Sequence, residues 1–207
     1  MRPDDALFGC GPPDAPPFDG FDPERAPSGR PWRPAAVLFL LYPRAGAPTT
    51  VFTLRQASLG AHAGQISLPG GRFEPGDASL WHTALRETHE ELGIPPAAVE
   101  RLAALEPEYV AVSGYRVAPF IGALAEPPAL RPDPREVAGV LEVPVRALLD
   151  PAIYREERRG VFVHVSPVYQ CGPYEIWGAT ARMLKRILAH PALHRALAPA
   201  SPPERPC

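Results

Sequence analysis

The chain has 207 residues, a formal net charge of −2 and 45% hydrophobic residues, which suits one compact unit with tails. It carries no basic stripe with interleaved aromatics, so nucleic-acid binding is set aside and a small anionic substrate is favoured. The three cysteines, Cys10, Cys171 and Cys207, are widely spaced and form no CxxC or disulfide-dense pattern, which predicts a cytoplasmic setting and no catalytic thiol.

Residues 1–33 are rich in Pro, Gly and Asp and read as an N-terminal arm without its own core. Asp4 and Asp5, with no long apolar run after them, predict neither a signal peptide nor a membrane anchor. From residue 34 to 190 strand and helix signals alternate as in one domain. Ala36 to Tyr42 reads as a buried strand, and Thr49 to Leu54 as a second one after a loop with Gly46 and Pro48. The turn Leu68-Pro69-Gly70-Gly71 then precedes a helix from Leu80 to Leu92, with Asp77 or Ser79 as N-cap and Gly93 as the left-handed stop. Tyr109 to Val112 and Val117 to Leu124 read as strands around a Ser113-Gly114 turn, Val161 to Tyr169 as a half-buried strand, and Ile176 to Ala189 as a second long helix. Residues 191–207 read as a Pro-rich C-terminal tail, and Glu204-Arg205-Pro206-Cys207 is no peroxisomal signal. Strands flanked by two helices predict an α/β (α+β) fold, but the pattern alone does not choose among such arrangements.

Chemistry concentrates in the first helix. Trp81, Ala84, Leu85, Thr88 and Leu92 form its apolar stripe, and Glu87, Glu90 and Glu91 share an adjoining arc. Like charges at this spacing repel by a few tenths of a kcal/mol each. An acidic face solvated beside Arg86 is one reading. A hard divalent cation that takes carboxylate oxygens is the other.

The segment Gly71, Asp77, Arg86-Glu87, Glu90-Glu91, Gly93-Ile94 resembles the signature of the Nudix hydrolase family. It departs from that signature in having Asp77 for Glu, eight residues rather than seven before Arg86, and Thr88 at an aliphatic position. Upstream, Leu54-Arg55-Gln56-Ala57-Ser58-Leu59 and His62-Ala63-Gly64-Gln65 leading to Pro69-Gly70-Gly71 resemble the motif of the coenzyme A pyrophosphatase branch, which shares the longer spacer. Ser113 to Gly122 and Glu175 to Ala181 resemble further segments of that branch, so the likeness runs from about residue 34 to 190.

The resemblance implies a Nudix-type α/β/α sandwich around a mixed β-sheet and hydrolysis of a pyrophosphate bond with Mg²⁺ or Mn²⁺. It implies Glu87 and Glu91 as metal ligands, Glu90 as a further ligand or the base, and Arg86 as the group that orients the carboxylates. Gly70 and Gly71 would keep the backbone clear of metal and phosphate, although a Pro-Gly-Gly turn is also an ordinary structural feature. Arg55, His62 and Gln65 are expected at the substrate. A structural hydrogen bond for His62 and a surface salt bridge for Arg55 are the alternatives. His89 reads as exposed. Glu136 is a candidate additional acid from a loop, and Tyr174 and Trp177 are either an adenine platform or core.

The implied reaction splits coenzyme A or its thioesters into 4′-phosphopantetheine and adenosine 3′,5′-bisphosphate. A broader nucleoside diphosphate-X hydrolase and a nucleotide-binding module without activity are the alternatives. The expected partner is a small molecule, with no nucleic acid and no membrane, and a homodimer is left open.

Overall fold

The computed structural model describes residues 22–57, 64–158 and 165–198. Strand β1 (Arg33–Arg44) is the centre of the molecule. Its side chains alternate between two cores: Phe39 and Leu41 point into one, while Ala36, Leu38, Leu40 and Tyr42 point into the other. A strand covered on both faces is apolar at nearly every position, which is why its sequence reads as a continuous run.

Strand β1 pairs in parallel with β7 (Tyr115–Ala123) over Arg33 to Leu41. It pairs antiparallel with β2 (Ala47–Arg55) at one end and with β4 (Gly70–Arg72) at the other. Strand β3 (Ile66–Ser67) and strand β8 (Val137–Pro144) flank β2, while β5 (Glu100–Ala104) and β6 (Glu108–Val110) pair with β7. The result is a mixed sheet of eight strands.

Helix α1 (Leu80–Leu92) covers one face through Leu80, Ala84, Leu85 and Leu92. Trp81 lies at the margin of this layer, edge-on to Phe120 at 5.4 Å. Thr88 is buried as its place in the stripe predicts, and its hydroxyl donates to the Ala84 carbonyl at 2.7 Å. The short helix α2 (Val145–Leu148) follows β8. On the other face lie helix α3 (Gly178–Leu188) and a three-stranded sheet of β9 (Tyr154–Arg158), β10 (Val165–Cys171) and β11 (Tyr174–Ile176). This is the expected sandwich.

Three differences from the sequence reading concern its margins. Trp32, assigned to the arm, is buried against Tyr109, with their rings 5.1 Å apart and nearly perpendicular. Pro191 begins helix α4 (Pro191–Leu197), whose Leu193 is fully buried, so the folded unit runs past residue 190. Proline at the first helical position forfeits no hydrogen bond, so its presence there starts a helix rather than ending one. The second long helix begins at Gly178 instead of Ile176, which belongs to β11.

Candidate active site

The site is built where β4 passes beneath the last two turns of α1. Ser79 caps the start of the helix and accepts from the His82 N–H at 3.4 Å; Gly93 closes it at φ +73°, its N–H donating to the His89 carbonyl. Both caps agree with the sequence, and they fix which side chains of the helix face β4.

The three acids of the helix have different surroundings. Glu91 is 5% exposed, and its Oε2 accepts the Gly70 N–H at 3.1 Å. Burial, opposed by that hydrogen bond and reinforced by Glu87 and Glu136, pushes its carboxyl up to about 8. Glu87 is raised as well, first by burial, and Arg86 opposes the shift from 3.1 Å. Glu90 points outward with its side chain 55% exposed and pairs with Arg86 at 3.0 Å.

Arg86 is the organising cation. Its Nε and Nη2 donate to the two oxygens of Asp77 at 2.9 and 3.2 Å, and Nη2 also reaches the Arg72 carbonyl at 2.9 Å. Burial alone would raise the Asp77 carboxyl, but Arg86, the Glu74 N–H and the Thr83 hydroxyl hold it below its ordinary value. Asp77 therefore anchors Arg86, and through it Glu87, and makes no contact with Glu91. The side chain one methylene shorter than Glu still spans the gap, because Asp77 sits in the turn beside Glu74 rather than on the helix. Nothing in the sequence singled out Thr83, whose role depends on this turn.

Both glycines have a steric cause. A Cβ on Gly71 would stand 2.6 Å from the Glu87 carboxylate, and one on Gly70, at φ +142°, would stand 2.2 Å from the Ala36 carbonyl oxygen of β1. The backbone of β4 thus runs between the Glu87 carboxylate and β1, as near to each as a chain without side chains permits.

Arg55 ends β2, half-buried, and its charge lowers Glu91. Its N–H donates to the Gln65 carbonyl at 3.0 Å, so Gln65 lies alongside it. His62 lies outside the described residues. Glu136 stands at the head of β8 and raises both Glu87 and Glu91. His89 is exposed as expected, near the Ile94 carbonyl. Tyr174 and Trp177 are 38% and 39% exposed, at the surface rather than in the core.

Among the described residues no three acid, histidine or cysteine side chains already stand at the spacing of a closed metal site. The donor set nevertheless fits a hard divalent cation. Two desolvated carboxylates share one side of a helix with one backbone N–H and one arginine as their near partners, and a third carboxylate adds to their repulsion.

Residues 31–164 match the NUDIX domain family. The chain is 38% identical over 143 residues to the uncharacterized Nudix hydrolase NudL of Photorhabdus laumondii, covering 68% of this chain and 75% of that one. It is 37% identical over 153 residues to the human mitochondrial coenzyme A diphosphatase NUDT8, covering 71% of this chain and 64% of that one. In fold it is similar to the M. smegmatis Nudix hydrolase RenU, with a TM-score of 0.59 and 20% identity over 89% of this chain and 99% of that one. A Nudix hydrolase from Alicyclobacillus acidocaldarius gives 0.53 and 18%, over 82% and 97%. The chain belongs to the Nudix hydrolase family, whose members are pyrophosphohydrolases that generally use divalent metal ions such as Mg²⁺ or Mn²⁺.

Proposed function

We propose that this protein hydrolyses the pyrophosphate bond of coenzyme A or its thioesters, giving 4′-phosphopantetheine and adenosine 3′,5′-bisphosphate. The observation that carries the reading is the position of Arg55 and Gln65. They belong to the segment that resembles the coenzyme A branch, a backbone hydrogen bond of 3.0 Å holds them side by side, and the charge of Arg55 acts on Glu91. The similarity to a coenzyme A diphosphatase over 71% of the chain supports it.

Glu87 and Glu91 hold the metal in this reading, and Glu90 is an outer group that shares Arg86 with Glu87. A bound Mg²⁺ or Mn²⁺ supplies charge neutralisation at the pyrophosphate and lowers the pKa of an adjacent water. The Gly70 N–H fixes the Glu91 carboxylate, and Arg86 fixes Glu87. Arg55 takes a phosphate oxygen, offsetting charge that grows as the bridging bond lengthens. Glu136 accepts the proton of the attacking water: the oxygen adds to one phosphorus, the bridging P–O bond breaks, and the departing phosphate carries the electron pair away. Gly71 leaves the Glu87 carboxylate its place beside β4, and Gly70 lets β4 close on β1.

The test is kcat/KM for coenzyme A, ADP-ribose and a nucleoside triphosphate under one Mg²⁺ concentration. Coenzyme A should lead. Equal or better turnover of the others would replace this substrate with the broader nucleoside diphosphate-X class, and binding without turnover would favour a module that only recognises nucleotide.

A further inference from the structure

The segment that carries Glu136 is tied down at both ends. At its start the Arg131 N–H donates to the Leu92 carbonyl at 2.8 Å and the Asp133 N–H to the Glu91 carbonyl at 3.0 Å. The loop thereby takes up two carbonyls that the end of α1 leaves open. At its other end a single residue of the chain after β2, Gln56, makes two contacts. Its backbone N–H donates to the Glu136 carbonyl at 2.9 Å, and its Nε2 donates to the Pro134 carbonyl at 2.8 Å.

Two bonds from one residue to carbonyls on alternate residues fix the rotation of the segment as well as its distance. The β2–β8 ladder slips at the same place: Leu54 faces Gly139 while Arg55 faces Val137, leaving Ala138 unmatched. A bulge of this kind bends its strand and re-aims the side chains beside it. The bend adjoins Arg55 on one strand and Glu136 on the other.

We propose that Gln56 is a positioning residue, whose clamp on the Pro134 and Glu136 carbonyls sets where the Glu136 carboxylate stands relative to Glu87 and Glu91. The proposal rests on the metal-dependent reading above, in which Glu136 serves the attacking water. Gln56 touches neither acid of the helix and acts only through the loop.

Gln56→Met keeps the length of the side chain and the backbone N–H while removing the amide donor. The full chain, Gln56→Met, Glu136→Gln and the double variant are compared for kcat and KM on coenzyme A with Mg²⁺, and for Mn²⁺ affinity by calorimetry. The expected result for Gln56→Met is a kcat about five- to tenfold lower with KM little changed, and weaker Mn²⁺ binding. Gln56→Met should add little in the Glu136→Gln background, because Gln56 acts only through the Glu136 carboxylate. Fully additive losses, or wild-type kcat and Mn²⁺ affinity in Gln56→Met, overturn the proposal. Should the wild-type protein turn over no substrate, the hydrolase reading fails, and the four Mn²⁺ affinities still decide the role of Gln56. Gln56→Leu serves in its place if the Met variant does not fold.

Discussion

The Gly70 N–H donates to the Glu91 carboxylate at 3.1 Å, joining the turn before helix α1 to the acid near its end. Segments 21 residues apart meet in this bond, and it orients the one helical glutamate that is nearly removed from solvent. A carboxylate so buried is costly without a cation.

Replacing that acid separates function from folding. Glu91→Gln keeps the shape and removes the charge, so the Mg²⁺-dependent rate should fall by about 100-fold or more, while the chelator-treated protein melts at the wild-type temperature or above. Steady-state rates and a thermal melt check both halves. An active Glu91→Gln protein would remove Glu91 from the metal site.

The same burial gives metal-free stability a pH dependence. The Glu91 carboxyl moves from an ordinary 4.5 in the unfolded chain to about 8 in the folded one. The folded state holds this proton more tightly, so the contribution is complete below about pH 4.5 and is lost as pH rises toward about 8. With chelator present, stability should decline across that window. Urea unfolding at several pH values measures it, and Glu91→Gln should flatten the decline.

Adjacent glycines should fail in different ways. On Gly70 the added Cβ meets the β1 backbone at 2.2 Å, an obstacle that cannot move, at φ +142°. Gly70→Ala is expected to cost about 3 kcal/mol or more in denaturant unfolding. On Gly71 the obstacle is the end of the Glu87 side chain at 2.6 Å. Gly71→Ala should lose under about 1 kcal/mol of stability yet lower kcat by about 100-fold, since it pushes aside the Glu87 carboxylate, a metal ligand in the proposed reaction. Similar stability losses in the two variants would contradict this assignment.

Arg86→Lys preserves the charge but not the fork that spans Asp77, Glu87 and Glu90. A kcat loss of about tenfold or more is expected, with a smaller change in KM. Asp77→Asn should reproduce part of it, because Asp77 fixes Arg86. Steady-state kinetics of both variants read this out, and an unaffected kcat in Arg86→Lys would contradict it.

Leu193 tests the boundary of the folded unit. It is fully buried in α4, within residues that read as a tail. Leu193→Ala should therefore destabilise the whole domain by about 2 to 5 kcal/mol, measured by denaturant unfolding. A loss under about 0.5 kcal/mol, usual for a surface position, would return these residues to a tail.

Local signals were the legible ones. Gly93 ends α1 in space as in sequence, Ser79 is the one of the two candidate N-caps that serves, and the doubly buried β1 shows as a continuous apolar run. The shared arc of the three acids was also legible, but their division was not. Glu91 turns inward because β4 offers it the Gly70 N–H, and Glu90 turns outward to Arg86. The Arg86–Glu90 pair is an i, i+4 contact that the helix period locates, whereas the Gly70 contact joins residues 21 apart and lies beyond its reach. The three-stranded sheet was only partly legible, since β9 reads Tyr-Arg-Glu-Glu-Arg and carries little apolar pattern. The docking of residues 131–136 on α1 and Gln56 is made largely by backbone groups, which leave no mark in side-chain type.

The most direct test of the account is the mass of the products formed from coenzyme A by the purified protein, with Mg²⁺ and with chelator. The expected products are 4′-phosphopantetheine and adenosine 3′,5′-bisphosphate in Mg²⁺, with coenzyme A left intact in chelator. Intact coenzyme A in Mg²⁺, from protein that hydrolyses ADP-ribose or a nucleoside triphosphate, would contradict it.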